Sequence, residues 1–220
     1  MVKVKFCGIR RTEDIEAVNR LKPDLAGFVF AKSRRQVTKE QAAALKELLD
    51  PGIKTVAVLV NMPVEEAAAL ANTGIADLLQ LHGDEDAAYI AKLKTLTGAK
   101  IIKAIRLRNG EPEANAKLLT EAVQADYYLF DTFLPDTYGG PGKTFSLSLV
   151  KGMRIDKPFF LAGGLDADNV AEIIGQVQMD VALRPNFYGI DVSGGIETDG
   201  YKDTIKMEAF MIAIRGKEKT

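Results

Sequence analysis

Two periodicities alternate along this chain. Val2, Val4 and Phe6 alternate with Lys3 and Lys5, the apolar residues then close up at Cys7, and Gly8 permits a sharp exit. That pattern predicts a short strand with the cysteine at its carboxyl end. Helical spacing follows, with Thr12 as N-cap, acidic residues in the first turn, and Ile15, Val18 and Leu21 on one face until Pro23 breaks it. The nearly all-apolar run 25–30 predicts a second strand buried on both faces. Thr38 caps a helix over 39–49, residues 54–60 form the third strand, and Pro63 opens the third helix from its first turn.

The alternation continues, with strands over 77–81, 100–105, 127–130, 158–162 and 189–192, and helices over 84–94, 113–123, from Asp168 onward, and 202–214. Eight strand-helix units with short connections are the number that closes a parallel barrel. The predicted fold is therefore α/β, a single-domain (β/α)8 TIM barrel spanning residues 1–220. A doubly wound sheet is the rival, but it leaves edge strands that should be less uniformly apolar than these.

Composition narrows the function. With 47% hydrophobic residues in 220, the chain can bury a full core. Lys plus Arg (29) nearly balances Asp plus Glu (30), so no strong field is available for nucleic acid or an anionic membrane surface, while small anionic substrates remain open to local charges. A single cysteine cannot form an intrachain disulfide, and the chain opens directly into a charged strand, which points to a cytoplasmic protein. With one histidine and one cysteine, a dedicated metal site is not expected.

A barrel of this kind keeps its chemistry at the carboxyl ends of the strands. The unusual residues gather there: Cys7 after strand one, Arg34-Arg35 after strand two, His82 after strand four, Asp131 after strand six, Gly163-Gly164 after strand seven, and Asp191 with Ser193-Gly194-Gly195 at strand eight. Singly, each has a bland role: cysteine packs as a small hydrophobe, arginines solvate loops, glycines make turns, and aspartates cap helices. The glycine turns after the last two strands are what a phosphate needs, because backbone N–H groups can surround its oxygens. A further cluster, Gly139-Gly140-Pro141-Gly142-Lys143-Thr144, is not a nucleotide-binding P-loop, since its first glycine would fall at Thr137. The stretch 132–143 is instead expected to be a loop over the site, with Lys143 available to an anion.

The ordered series Lys5-Phe6-Cys7-Gly8-Ile9, Gly27-Phe28-Val29-Phe30, Ser33-Arg34-Arg35, Gln80-Leu81-His82-Gly83, Leu129-Phe130-Asp131-Thr132, Gly139 to Phe145, Leu161-Ala162-Gly163-Gly164-Leu165 and Asp191-Val192-Ser193-Gly194-Gly195-Ile196-Glu197 resembles the phosphoribosylanthranilate isomerase family. The resemblance runs the length of the chain. It implies a (β/α)8 barrel of tryptophan biosynthesis that converts N-(5-phosphoribosyl)anthranilate to 1-(2-carboxyphenylamino)-1-deoxyribulose 5-phosphate by an Amadori rearrangement, without metal or cofactor. It further implies that Cys7 is the general base and Asp131 the general acid, facing each other across the barrel. Arg35 faces the anthranilate group, and the turns at Gly163-Gly164 and Ser193-Gly194 hold phosphate. His82 and Asp191 join the substrate-binding set, with a hydrogen-bonding structural role preferred for His82. The expected assembly is a monomer or homodimer, with a small phosphosugar as the only ligand.

Two positions depart from the family pattern: Ser146 stands where aspartate is usual, and Gly194 where a second serine is usual. Serine can cap a helix as aspartate does, whereas glycine removes one hydroxyl from the phosphate turn. The related histidine-pathway isomerase fits less well, having aspartate at the place of Cys7 and two matching half-barrels. A phosphosugar-binding barrel without turnover is the non-enzymatic alternative, and the presence of both Cys7 and Asp131 speaks against it.

Overall fold

The computed structural model describes residues 1–107, 111–131, 147–151 and 153–216. Its elements are β1 (Lys3–Cys7), α1 (Thr12–Leu21), β2 (Leu25–Val29), α2 (Lys39–Leu48), β3 (Lys54–Leu59), α3 (Val64–Asn72), β4 (Leu78–Leu81), α4 (Ala87–Leu96), β5 (Lys100–Arg106), α5 (Pro112–Glu121), β6 (Tyr127–Asp131), β7 (Phe159–Ala162), α6 (Val170–Met179), β8 (Phe187–Val192), a small hairpin β9 (Glu197–Thr198) and β10 (Tyr201–Lys202), and α7 (Thr204–Arg215). Strands β1 to β8 pair in sequence order, all parallel, and β8 closes on β1.

Two separate apolar layers follow from the pleat. Side chains such as Val4, Phe6, Phe28, Leu79, Leu81, Phe130 and Phe159 point outward and pack under the helices, where the Phe6 ring meets Phe210 of α7 at 6.2 Å. The alternate positions, Leu25, Val56, Leu78, Ile102, Ala104, Leu129, Phe160 and Ala162, fill the barrel interior. Tyr127 and Tyr188, whose ring centroids are 5.0 Å apart, pack against this inner group beside Phe160. Each fully buried side chain of this size contributes about 1.5–3 kcal/mol, so the inner layer makes the barrel a packed solid with its polar opening at the carboxyl rim. At the opposite end, Asp24, Asp77 and Asp126 accept the backbone N–H groups of Val4, Thr55 and Ile101 at 2.7–3.0 Å, tying β1, β3 and β5 to the connections that follow them.

The helix boundaries hold one confirmation and two corrections. Thr38 is the N-cap of α2, accepting from the Gln41 amide while Gln41 returns a bond to the Thr38 amide. At α1 the cap is Arg11, one residue before the expected Thr12, because the Asp14 carboxylate reaches back to the amides of Arg10 and Arg11 at 3.0 and 3.1 Å. Residue 202 does not start the last helix. Asp199 (φ 50°) and Gly200 (φ 80°) both adopt left-handed backbone and turn the chain into the β9–β10 hairpin, after which Asp203 caps α7. Among the described residues, the β6–β7 connection carries only a 3-10 turn at Leu147–Leu149, so the sixth unit shows no α-helix there. The expected loop over 132–143, Lys143 and Ser146 lie outside the described residues.

Candidate active site

Because β1 alternates, Lys3, Lys5 and Cys7 face the barrel interior while Val4 and Phe6 face the helices. The Lys5 side chain is fully buried, and its Nζ lies 2.9 Å from Asp191 Oδ1 on the neighbouring β8, with which Lys5 is in register. The Lys5 ammonium also interacts electrostatically with the Cys7 thiol. Room for both comes from Gly27 in register beside Cys7 on β2: a Cβ there would stand 3.1 Å from Cys7 Sγ and 3.2 Å from Lys5 Nζ. Burial pushes the Cys7 thiol up; Lys5 pulls it back, Asp191 opposes, and Lys202 assists, with a net rise. For Lys5, burial disfavours the charge, but Asp191 and Cys7 outweigh it and raise its pKa.

A second constellation sits over the mouth beside β1 and β8. Glu197, at the start of β9, receives Arg35 in a two-pronged bond (Nε 2.6 Å, Nη2 2.7 Å), Lys202 at 2.8 Å and Arg34 at 2.9 Å. Arg35 and Lys202 hold the Glu197 carboxyl down to about 2 despite its burial. Burial lowers Lys202, with Glu197 pulling the other way, and the bond to Glu197 raises Arg35. Arg35 crosses Gly8, whose φ of 82° demands glycine and whose Cβ would stand 2.6 Å from Arg35 Cδ and 3.3 Å from Ser193 Oγ. Ser193 donates its hydroxyl to the Cys7 carbonyl at 3.0 Å, and its own carbonyl accepts from Lys202 at 2.9 Å. Tyr201 of the hairpin stacks under the guanidinium groups of Arg10 and Arg11 at 4.5 and 4.7 Å.

The two glycine turns are neighbours. Gly163 and Gly164 follow β7 with φ of 92° and 64°, and Gly195 packs so closely on the next residue that its Cβ would lie 1.9 Å from the Leu165 carbonyl oxygen. Gly194, at the start of a 3-10 turn after β8, faces Arg35, whose Nη2 is 3.7 Å from its Cβ position. The third grouping is at β4 and β6. His82 Nε2 lies 3.3 Å from Asp131 Oδ2, and Gln80 Nε2 is 2.9 Å from His82 Nδ1, which orients the ring. The Gln80 Oε1 atom is buried without a hydrogen-bond partner.

Among the described residues, Cys7, Arg35, His82, Asp131, Asp191 and the two glycine turns stand at the carboxyl rim, with two adjustments of geometry. Strands β1 and β6 are separated by β7 and β8, one place short of facing each other across the barrel. Arg35 has its guanidinium engaged by Glu197. Lys5, Gln80, Glu197 and Lys202 were not assigned roles from the sequence. A lysine inside an apolar parallel strand was the available signal, because both faces of such a strand are buried and the ammonium must find a partner. Among the described residues no group of His, Cys, Asp or Glu is arranged to hold a metal ion, and no helix is long and apolar enough to cross a membrane.

A thiol, an ionisable carboxyl and a set of cations at the open end of eight parallel strands define the class: a (β/α)8-barrel enzyme. The particular family follows from comparison with known proteins. The family model for N-(5'phosphoribosyl)anthranilate (PRA) isomerase matches residues 4–213. An N-(5'-phosphoribosyl)anthranilate isomerase of Thermoanaerobacter sp. (strain X514) is 48% identical over 216 residues, 98% of this chain and 99% of that protein. One of Clostridium acetobutylicum is 43% identical over 222 residues, with 98% of each covered. Among solved structures, phosphoribosyl anthranilate isomerase from Thermotoga maritima superposes with a TM-score of 0.82 at 32% identity, covering 98% of this chain and all of the other. A phosphoribosyl anthranilate isomerase in complex with reduced 1-(o-carboxyphenylamino)-1-deoxyribulose 5-phosphate superposes with a TM-score of 0.80 at 29% identity, again over 98% and 100% of the two chains. The chain belongs to the N-(5'-phosphoribosyl)anthranilate isomerase family.

Proposed function

We propose that this barrel isomerises N-(5-phosphoribosyl)anthranilate to 1-(2-carboxyphenylamino)-1-deoxyribulose 5-phosphate, with Asp131 as general acid and Cys7 as general base. The observation that carries the reading is the family match over residues 4–213, with an ionisable carboxyl and a thiol at the carboxyl ends of β6 and β1. Opening the furanose needs a proton on the ring oxygen while the glycosylamine becomes a Schiff base, and Asp131 supplies it. The Cys7 thiolate then removes the proton on sugar C2, and the C2–H pair becomes the C1=C2 bond of an enolamine that tautomerises to the ketose. His82, fixed through Gln80, aligns the Asp131 carboxyl.

Phosphate is held by the backbone of the adjoining turns at Gly163-Gly164 and Ser193-Gly194. The Ser193 hydroxyl serves the Cys7 carbonyl, so backbone amides carry the oxyanion, and the glycine at 194 costs little. Arg35, braced by Glu197, offers its remaining donors to the anthranilate carboxylate, and Asp191 borders the sugar from β8. The reaction asks for no metal or redox group, the small phosphosugar is the only ligand required, and the protein works in the cytoplasm.

Turnover of freshly made phosphoribosylanthranilate, followed by the loss of its fluorescence, tests the activity. Cys7→Ala and Asp131→Asn should each lower kcat by about 10²- to 10⁴-fold or more while substrate still binds. The pH dependence of kcat should be bell-shaped, losing its acidic limb in Cys7→Ala and its basic limb in Asp131→Asn. Near-normal kcat in Cys7→Ala would return that residue to the role of a buried hydrophobe.

A further inference from the structure

Lys5 is a costly residue to bury. A buried ion pair such as Lys5–Asp191 is seldom worth more to stability than well-packed apolar side chains of the same volume, so stability alone does not account for an ammonium at the heart of the barrel. Its place does. Asp191, Lys5 and Cys7 come from adjoining strands, and the ammonium bonds the carboxylate while crowding with the thiol against Gly27.

Charge balance gives this arrangement a direction. The groups that face Cys7 are Lys5 from β1, Asp191 from β8, Lys202 from the hairpin and Arg35 from the β2–α2 connection, and Glu197 holds the last two. Three cations thus face two carboxylates, leaving one positive charge that a thiolate completes; Arg34, which also reaches Glu197, is largely solvated. Without Lys5, ionising Cys7 would place a second anion beside Asp191 inside an apolar barrel, against a burial penalty already raising the thiol.

We propose that Lys5 is a positioning residue for the isomerisation, its buried ammonium stabilising the Cys7 thiolate that takes the C2 proton while Asp191 holds the ammonium in place. The inference rests on the reading of Cys7 as the base. In the step itself the sulfur lone pair forms the S–H bond, the C2–H electrons form C1=C2, the Schiff-base nitrogen takes up the displaced π pair, and Lys5 stays protonated throughout.

Cys7 is the sole cysteine of the chain, so thiolate ultraviolet absorbance and the rate of iodoacetamide alkylation report on it alone. In Lys5→Met the titration midpoint should rise by at least about one pH unit, alkylation below that midpoint should slow by about tenfold, and the acidic limb of kcat/KM should move up with it. In Lys5→Gln, which keeps a polar side chain beside Asp191 but no charge, the midpoint should rise likewise; this variant decides the matter if Lys5→Met does not fold. An unchanged midpoint in either folded variant overturns the role of Lys5. Near-normal kcat in Cys7→Ala would instead sink the base reading, whatever the titration of the Lys5 variant shows.

Discussion

Replacing Glu197 by glutamine tests whether the rim is braced by charge. Its side chain is 4% exposed and accepts hydrogen bonds from Arg34, Arg35 and Lys202 at 2.6–2.9 Å. Burial works against its ionised form, but the bonds from Arg35 and Lys202 win and bring its pKa from an ordinary 4.5 to about 2. A displacement of that size is worth about 3 kcal/mol to the folded state. Because the carboxyl is harder to protonate folded than unfolded, this stabilisation is complete above the unfolded value of 4.5 and is lost as pH falls toward about 2.

Glu197→Gln should therefore unfold more easily in urea at neutral pH by about 3 kcal/mol, and the gap to the parent should shrink to less than half by about pH 3. Glutamine can still accept one bond, but it leaves the buried Lys202 ammonium without a counter-charge, which is part of that loss at neutral pH. KM should rise on the order of tenfold as Arg35 loses its two-pronged brace. Urea melts of both proteins across this pH range, paired with steady-state kinetics, make the measurement. A stability gap that does not change with pH would refute the electrostatic account.

Arg35→Lys should raise KM with little change in kcat, because a lysine cannot replace the fork that engages Glu197 and a planar carboxylate together; unchanged kinetics would hand carboxylate recognition to Arg34. Gly195→Ala places a Cβ 1.9 Å from the Leu165 carbonyl and must push the two glycine turns apart, so competition by inorganic phosphate should weaken if they hold it. If phosphate competes as well as before, the anion binds elsewhere. Exhaustive chelation should leave full activity, and a requirement restored only by a divalent ion would overturn the acid-base mechanism.

Much of this architecture was legible along the chain. Eight short apolar runs separated by helical spacing, with caps such as Thr38, lead directly to a closed parallel barrel, because strands buried on both faces have no solvent side. The rim positions of Cys7, Arg35, His82, Asp131, Asp191 and the glycine turns follow from the same count, since each stands where a strand ends. The hairpin before α7 had its signal too, in the pair Asp199-Gly200, a turn whose backbone requires left-handed residues, yet the helical spacing beyond it extended the predicted helix over Lys202.

What periodicity could not decide is which polar side chains meet. Lys5 and Asp191 are 186 residues apart, and Arg35 and Glu197 are 162 apart. Their pairing depends on β8 closing against β1 and on the hairpin folding over the mouth. Local pattern along the chain settles the number of strands, the end of the barrel that is polar, and the residues that arrive there. Barrel closure and the hairpin are what bring Lys5 to Asp191 beside Cys7, Glu197 to Arg35, and His82 to Asp131. Local pattern specifies how each strand presents its faces, whereas an ion pair across strands exists only once barrel closure brings both charges out of water together.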